Sequence, residues 1–325
     1  MVSQAYFVTG AQGCIGAWTV KALAERGDRP VVFDLSDDPR RLRLVMDDAQ
    51  LAGVRFVSGD ITDLEALRGA LEESGARRII HLAGLQVPFC KADPPLGARV
   101  NVVGTMNVFE AALASNAERV VYASSAAVYG PDEGRGAVKE EDALGPTTHY
   151  GVYKQANEGN ARVYHADSGL SSAGLRPLTV YGVARDQGLT SDLTRALKAT
   201  VLGLPFTIRF GGSTDALYVA DAAGAFIACA DRAPAGAQVF NLHGESVEVL
   251  RFVELIEANL EGDERCRVTI EGPPLPIACN MNDGSIQTLV GDLPFTPLET
   301  GVRETMARFR ELKKRGRLDT GDLEN

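Results

Sequence analysis

The sequence has few of the residues that build metal centres and disulfide frameworks. It contains four histidines and five cysteines among 325 residues, and the cysteines stand at positions 14, 90, 229, 266 and 279. Their number is odd, and the sequence has neither a Cys-x-x-Cys pair nor a cluster of cysteine and histidine. This pattern excludes a zinc ribbon and a disulfide scaffold. We therefore expect reduced thiols, no metal site and a cytoplasmic location.

Long apolar runs and an excess of positive charge are also missing. No apolar run is long enough to cross a bilayer, and a strand-like run begins at Ala5, so we expect neither a membrane span nor a signal peptide. The formal net charge is −10, whereas nucleic acids and anionic membranes bind basic surfaces. The one basic run, residues 313–317, suits the end of a helix. Nucleic-acid and membrane partners are therefore not expected.

Short apolar runs alternate with helical patterns through the first half of the chain. The runs include AYFVTG, VVFDL and RVVYASS, and the segments between them carry apolar residues at helical spacing. Such alternation predicts an α/β fold, in which a doubly wound parallel sheet of the Rossmann type carries helices on both faces. After residue 180 the rhythm breaks. We predict a Rossmann domain over 1–180, to which 215–245 partly returns, and a smaller substrate-binding lobe over 181–325.

A glycine-rich segment connects the first strand to the first helix. The stretch VTGAQGCIG places Gly10, Gly13 and Gly16 at this turn. Glycines there permit a tight turn and let the backbone approach a pyrophosphate, which the free N–H groups of the helix N-terminus bind. The alternative is a tight turn with a structural role only.

A carboxylate ends the second strand-like run, at Asp34. At this place a carboxylate accepts hydrogen bonds from an adenosine ribose and repels a 2′-phosphate. Asp37 and Asp38 add negative charge, whereas Arg40 and Arg41 act against it. The pattern favours NAD over NADP.

The segment HYGVYK, residues 149–154, raises a separate question. Tyr150 and Lys154 are four residues apart and would share one face of a helix, whereas Tyr153 would point away and pack. Ser125 follows a strand-like run, at the end of the sheet where ligands bind. By itself the spacing fits the polar face of an ordinary helix as well as a catalytic pair.

Further motifs follow in a fixed order along the chain. After TGAQGCIG and Asp34 they are GDITD at 59–63, HLAG at 81–84, NVVGT at 101–105, SSAAVYG at 124–130, YGVYK at 150–154 and LRPLTVYG at 175–182. The set covers nearly the whole chain and resembles the NAD-dependent epimerase/dehydratase group of the extended short-chain dehydrogenases/reductases. The resemblance implies that Ser125, Tyr150 and Lys154 are catalytic. It assigns these residues to NAD: Gly10, Gly13, Cys14, Ile15, Gly16, Asp34, Asp60, Ile61, Leu82, Ala83, Gly84, Asn101, Tyr150, Lys154 and Pro177.

The implied chemistry needs a base for the proton of a hydroxyl group. A free tyrosine has a pKa of about 10, and a nearby ammonium together with a positive nicotinamide lowers that pKa. We therefore expect Lys154 to lower the pKa of Tyr150; the resemblance implies that Lys154 also holds the nicotinamide ribose and that Ser125 binds the reacting oxygen. Two assignments retain alternatives: Asp60 as a helix N-cap and Asn101 as a turn residue.

The sequence departs from the family's pattern at several positions near the substrate. Ala126 and Ala127 stand where the dehydratases carry Asp-Glu, and alanine performs no acid or base chemistry, which excludes a dehydratase. Thr179 and Thr214 stand where epimerases of nucleotide-diphosphate sugars usually carry Asn and Arg. Because arginine is the natural partner of a diphosphate, these changes argue against a nucleotide-sugar substrate.

Other residues could take over the substrate contacts. Arg185, Arg195 or Arg209 could replace the missing arginine, and Gln86 is a substrate contact or a member of a polar loop. The predicted substrate contacts are Gln86, Ser125, Ala126, Tyr150, Thr179 and Arg185.

These observations predict an NAD-dependent oxidoreductase that transfers a hydride at a secondary hydroxyl of a sugar or sugar-derived acid, as a dehydrogenase or an epimerase. Two alternatives stay open: a nucleotide-diphosphate-sugar 4-epimerase, and a protein that senses NAD(H) without turnover. In the family, the helices at about 97–115 and 150–168 pair with their copies in a four-helix bundle, so we expect a homodimer.

Overall fold

The computed structural model describes residues 3–131 and 136–323. The strands in these ranges are β1 (Ala5–Thr9), β2 (Arg29–Asp34), β3 (Arg55–Ser58), β4 (Arg78–His81), β5 (Arg119–Ala123), β6 (Ser172–Arg176), β7 (Thr179–Tyr181), β8 (Phe206–Ile208), β9 (Ser213–Tyr218), β10 (Ala237–Asn241), β11 (Glu245–Glu248) and β12 (Val268–Ile270). The helices are α1 (Cys14–Glu25), α2 (Arg40–Val45), α3 (Asp48–Ala52), α4 (Leu64–Ser74), α5 (Val87–Ala92), α6 (Pro94–Ala98), α7 (Gly104–Ala114), α8 (His149–Ser168), α9 (Asp192–Leu202), α10 (Val219–Arg232), α11 (Val249–Ala258), α12 (Gly284–Val290) and α13 (Leu298–Lys314). None of the helices within these ranges has both the length and the apolar character that a membrane span requires.

Seven parallel strands form the central sheet, in the order β3-β2-β1-β4-β5-β6-β10. The direction of winding reverses between β1 and β4, and open α/β sheets bind their ligands at the carboxyl ends of the strands beside such a switch point. The central strands are buried on both faces, whereas β3 lies at an edge and is mostly exposed. The predicted doubly wound sheet is confirmed.

Helices cover both faces of this sheet. α1 and α10 pack together on one face, and α4, α7 and α8 pack on the other. Successive strand residues point to opposite faces, so Val8 and Ile80 belong to the first core and Phe7 and Ile79 to the second. The continuous apolar runs in the sequence reflect this burial on two sides.

The chain leaves the central sheet after β6. The run SSAGLRPLTVYG, which reads as one strand, divides at Pro177 into β6 and β7, because proline has no N–H to donate to a ladder. β7 joins a second sheet of order β11-β9-β7, and β8 pairs with β12. α9, α11 and α13 pack against these strands and form the smaller lobe.

Part of the segment 215–245 packs with the central sheet, in the direction of the predicted return to the first domain. α10 packs against α1, β4 and β5, and β10 extends the central sheet beside β6. β9 and β11 remain in the second sheet. The boundary between 1–180 and 181–325 stays a prediction.

Candidate functional site

The glycine loop between β1 and α1 lies against the segment that follows β4. Gly10 has a φ of 65°, and a β-carbon on it would overlap the backbone of Ala83. A β-carbon on Gly16 would overlap the carbonyl oxygen of Gly10, which accepts a hydrogen bond from the Gly13 N–H at 3.0 Å. Gly13 is the N-cap of α1 and brings no side chain to its first turn. The loop is therefore tight, and the N–H groups at the start of α1 are available to an anion.

Four half-buried residues flank this loop. Cys14 and Ile15 belong to the first turn of α1, and Leu82 and Ala83 follow β4. The Leu82 N–H donates to the carbonyl oxygen of Thr9 at 2.9 Å, which holds its segment beside β1. Burial raises the pKa of the Cys14 thiol to about 12, so this side chain is neutral and packs as a small apolar group.

Asp34 ends β2 beside the glycine loop. Its Oδ2 accepts a hydrogen bond from the Gln12 N–H at 2.9 Å, and its Oδ1 accepts one from the Ser36 N–H at 3.3 Å. The Gln12 side chain donates to the carbonyl oxygen of Ser36. These contacts fix the orientation of the carboxylate and leave it lone pairs for ribose hydroxyl groups.

Asp60 and Ile61 follow β3. The Asp60 Oδ1 accepts a hydrogen bond from the Thr62 N–H at 2.8 Å. Asp63 caps α4, so the alternative that Asp60 is the N-cap is wrong. Ile61 is buried and packs over Gly104, which holds the 60–61 segment against α7.

Asn101 lies in a π-helical turn, Arg99–Val103, between α6 and α7. Its Nδ2 donates to the carbonyl oxygen of Gly97 at 3.0 Å. Its Oδ1 is buried and has no hydrogen-bond partner within the described part of the chain. That atom lies 2.7 Å, and the Lys154 Nζ 3.5 Å, from the point where a β-carbon on Gly84 would stand. An acceptor without a donor and an ammonium group thus face the same glycine.

Tyr150 and Lys154 lie in the first two turns of α8. Thr148 caps this helix by accepting a hydrogen bond from the Gly151 N–H at 3.1 Å. The Lys154 Nζ lies 5.4 Å from the centre of the Tyr150 ring, as the four-residue spacing predicts. Ser125 follows β5 and forms a hydrogen bond with the Tyr150 hydroxyl. The fold therefore brings the three predicted catalytic side chains together.

Burial controls the charges of this group. It lowers the pKa of Lys154, which is 5% exposed, to about 8. It also raises the pKa of Tyr150, while the hydrogen bond with Ser125 and the charge of Arg185 act in the opposite direction. In the protein alone, desolvation outweighs the Ser125 hydrogen bond and the charge of Arg185, so the expectation that Lys154 lowers the pKa of Tyr150 stays a prediction for the enzyme with NAD bound.

A buried ion pair lies behind the catalytic group, and the sequence reasoning missed it. Arg176 donates to both carboxylate oxygens of Glu158, at 2.8 Å and 2.6 Å, and to the Tyr129 hydroxyl at 2.6 Å. Ser124 donates to Glu158 at 2.5 Å. The network joins the end of β5 to α8 and β6. The available signal was the spacing, because Glu158 stands four residues after Lys154 and so shares its helix face.

A second buried network crosses from β1 to α8. His81 contacts Thr9 through Nδ1 at 2.6 Å and Thr105 through Nε2 at 3.0 Å. The Thr105 hydroxyl and the Asn157 amide both donate to the carbonyl oxygen of Asn101, at 2.7 Å and 2.9 Å. Burial lowers the pKa of His81 to about 3, so the imidazole is neutral and acts as a structural link.

Two residues predicted to contact the substrate, Thr179 and Ala126, lie in the protein interior. Thr179 is fully buried, and its hydroxyl forms a hydrogen bond of 2.7 Å with that of Thr214. Ala126 is also fully buried, in the short 3-10 turn that follows Ser125, and its N–H donates to the carbonyl oxygen of Pro177 at 3.0 Å. The two threonines satisfy each other, and Ala126 packs instead of facing a ligand.

Gln86 and Arg185 do come together. The Gln86 Oε1 lies against Gly188, in the segment between β7 and α9. Arg185 donates to the Thr190 hydroxyl at 3.0 Å, and its Nε is buried without a hydrogen-bond partner among the described residues. The preceding Ala184 has a φ of 78°, a left-handed conformation that is uncommon for residues other than glycine and is often found at functional sites.

A cavity of about 980 Å³ opens beside Arg185. Its basic lining residues are Arg40, Arg41, Arg43, Arg185, Arg195, Lys198, Arg209 and Arg317. Asp192 is fully buried and accepts hydrogen bonds from Arg209 at 2.9 Å and 2.8 Å and from Arg195 at 3.1 Å. Sequence reasoning singled out the two arginines but missed Asp192, which belongs to no motif and acts only through the fold.

The fold and the site together define a dinucleotide-dependent oxidoreductase. The features that define it are the doubly wound sheet, the glycine-rich first turn, the carboxylate at the end of β2 and the tyrosine–lysine pair on α8. Residues 6–242 match the NAD dependent epimerase/dehydratase family. The chain therefore belongs to this family, as the motifs predicted, and is an enzyme that uses NAD.

The relatives and solved structures agree with this membership. The chain is 28% identical to UDP-glucuronate 4-epimerase 5 of Arabidopsis thaliana in an alignment that covers 91% of this chain and 73% of the relative. It is 28% identical to MoeE5, solved in complex with UDP-glucuronic acid and NAD, with a TM-score of 0.80 over 94% of this chain and 99% of that one. UDP-glucose 4-epimerase of Thermotoga maritima, solved with UDP-glucose, has a TM-score of 0.83 over 95% of this chain and 100% of that one; at 21% identity it shows the shared fold.

Proposed function

We propose that the protein transfers a hydride from a secondary carbinol of a sugar or sugar-derived acid to NAD, as a dehydrogenase or an epimerase. The observation that carries the proposal is the convergence of Ser125, Tyr150 and Lys154 beside the glycine loop. Family membership and this proton-transfer group favour an enzyme over a protein that only senses NAD(H).

The residues present fit NAD. We assign the pyrophosphate to the loop 10–16, where added β-carbons would overlap the backbone, and the adenosine ribose to Asp34. Asp60 and Ile61 would flank the adenine. The nicotinamide ribose would meet Lys154 and the Oδ1 of Asn101, because this buried acceptor has no donor among the described residues and calls for a ligand hydroxyl.

The proposed chemistry has one proton and one hydride to move. Tyr150 accepts the proton of the substrate hydroxyl, while Ser125 donates a hydrogen bond to the same oxygen. Bound NAD supplies the hydride acceptor and a positive charge. That charge, the Ser125 hydrogen bond and the charge of Arg185 favour phenolate against the burial that raises the pKa of Tyr150. A dehydrogenase releases NADH, whereas an epimerase returns the hydride to the opposite face of the carbon.

The guanidinium of Arg185 favours a substrate that carries a carboxylate. Its charge acts on Tyr150, and its buried Nε has no partner among the described residues. A carboxylate near the reacting carbon would accept charge-assisted hydrogen bonds from this guanidinium. A uronic or aldonic acid is therefore the favoured class.

A second candidate function is a nucleotide-diphosphate-sugar 4-epimerase. The relatives named above favour it, and so does the cavity, whose eight basic side chains outnumber its four carboxylates and in which Asp192 holds Arg195 and Arg209 in fixed orientations. Thr179 and Thr214 replace the Asn and Arg that such epimerases usually carry, but these two threonines are buried against each other. Other arginines line the cavity and could bind a diphosphate in place of the missing Arg.

One screen separates the two candidates. Purified enzyme is incubated with NAD and with uronic acids, aldonic acids, UDP-glucuronate or UDP-glucose, and NADH absorbance and product stereochemistry are both measured. Net NADH from a free acid supports a dehydrogenase, and isomer exchange without net NADH supports an epimerase.

Direct binding of UDP is measured by calorimetry on the NAD-loaded protein, with Arg209→Ala as the test variant and Arg40→Ala as a control on the cavity rim. Micromolar UDP binding that Arg209→Ala abolishes would favour the nucleotide-sugar enzyme, and turnover of no sugar would reject both.

We also propose a homodimer formed through α7 and α8. Val152 and Val163 on α8 are 46% and 57% exposed, and Val103, the N-cap of the neighbouring α7, is 41% exposed; we call these three apolar side chains the strip. Tyr164, also on α8, packs on Phe109 within the subunit. The strip is what a pairing with a second copy would cover.

A cytoplasmic location is a further proposal. All five cysteines are free thiols, which is the usual state in a reducing compartment.

A further inference from the structure

An arginine beside the cofactor loop is held by a carboxylate from the distant half of the chain. Arg41, on α2, donates to Asp186 through Nε at 2.9 Å and 3.0 Å and through Nη2 at 2.8 Å. Both side chains are largely shielded from solvent, at 15% and 21% exposure. The pair therefore has the bidentate geometry and the low exposure of a strong ion pair, unlike the 3.9 Å contact between the exposed side chains of Arg40 and Asp38.

The same arginine is anchored next to the ribose-binding carboxylate. The Arg41 Nη1 donates to the carbonyl oxygen of Gln12 at 3.2 Å, and the Gln12 N–H donates to Asp34 at 2.9 Å. Arg41 and Asp34 thus contact the same residue of the glycine loop. The negative charge of Asp34 also acts on the Arg41 guanidinium.

This position matters for the choice of cofactor. In dinucleotide-binding folds, a carboxylate at the end of β2 binds the 2′-hydroxyl group of NAD, and a nearby arginine accommodates the 2′-phosphate of NADP. The chain has both residues, Asp34 and Arg41. The Asp186 carboxylate, however, occupies the Nε–H and one Nη2–H of Arg41, which form one bidentate edge of the guanidinium, and it balances the charge that would attract a phosphate.

We propose that Asp186 is a determinant of NAD selectivity: it sequesters Arg41, so that the arginine cannot bind the 2′-phosphate of NADP. Selectivity then has two parts, the repulsion by Asp34 within the cofactor domain and the engagement of Arg41 by a residue of the segment that leads into the smaller lobe. The proposal rests on the use of NAD and on these contacts, and it does not depend on which substrate the enzyme takes.

The test is a measurement of cofactor binding without substrate. Dissociation constants for NAD and NADP are measured by calorimetry for the wild type, Asp186→Asn and Asp186→Ala. Both variants free the Arg41 fork while Gln12 keeps it beside Asp34, so NADP binding should tighten by about tenfold, the effect of about one charge-assisted hydrogen bond. NAD binding should stay within about twofold, since the 2′-hydroxyl group does not need Arg41.

A double variant and a matched control test whether the gain in NADP affinity depends on Arg41. Adding Arg41→Ala to Asp186→Ala should remove the gain in NADP affinity, because the gain belongs to the arginine. Glu254→Ala removes a carboxylate from the exposed Arg251 pair on α11, in the smaller lobe, and should leave the ratio of the two dissociation constants unchanged.

Three results would overturn the proposal. One is unchanged NADP affinity in both Asp186 variants while NAD still binds as in the wild type. The second is loss of NAD binding in both variants, which would make Asp186 a structural support of the loop. The third is a retained NADP gain in the double variant, which would reject the role of Arg41.

Discussion

The buried ammonium of Lys154 makes a prediction that separates stability from activity. Burial lowers its pKa from 10.5 to about 8. Between these values the unfolded chain binds the lysine proton and the folded protein does not, so stability rises with pH in that window. Below pH 8 the charged lysine costs the folded state about 3 kcal/mol. Lys154→Met keeps most of the side-chain volume and removes the charge, so we expect it to stabilise the protein by about 1–3 kcal/mol at pH 7 while abolishing turnover.

The assay is urea unfolding of the wild type and Lys154→Met at pH 7 and pH 10, without cofactor. At pH 10 the wild-type lysine is already neutral in the folded state, so the advantage of methionine should fall below about 1 kcal/mol. Lys21→Met, which breaks a surface pair with Glu25, is the control and should change stability by less than about 0.5 kcal/mol at pH 7. A methionine variant that is less stable than the wild type at pH 7, or a gain equally large at pH 10, would refute the reasoning.

Four further predictions follow from the geometry. Tyr150→Phe should lower kcat by about 10²–10⁴-fold in steady-state kinetics and leave the affinity for NAD nearly unchanged. Tyr153→Phe is the control: it loses only a hydrogen bond to a backbone carbonyl oxygen and should have a small effect on kcat. More than a tenth of wild-type turnover in Tyr150→Phe would exclude Tyr150 as the base. Asp34→Ala should narrow the preference for NAD over NADP in calorimetry, and equal cofactor affinities in the wild type would contradict its role. Glu158→Ala leaves a buried arginine unpaired and should cost about 3–5 kcal/mol in urea unfolding; a cost below 1 kcal/mol would show that water reaches the pair. Light scattering should find a dimer that Val163→Glu converts to monomers, and a monomeric wild type would end the proposal.

Most of the fold and the main part of the candidate site could be predicted because their signals are local. The glycine loop precedes its own helix, Asp34 ends its own strand, and Tyr150 and Lys154 are one helical turn apart. Strand and helix periods of two and 3.6 residues translate such spacings directly into shared faces. The division of one apolar run at Pro177 into strands of two different sheets was missed, because pairing partners lie far along the chain.

By itself the sequence determined the fold class, the cofactor loop and the tyrosine–lysine spacing. The tertiary structure alone decided which polar groups meet. It buried Thr179 against Thr214, joined Arg176 to Glu158 behind the catalytic group, and brought Asp186 to an arginine 145 positions earlier in the chain. It also raised the pKa of Tyr150 in the protein alone, because desolvation depends on everything that packs around a side chain. Local spacing specifies which residues share a helix or strand face, whereas contacts and burial arise only when distant segments pack together.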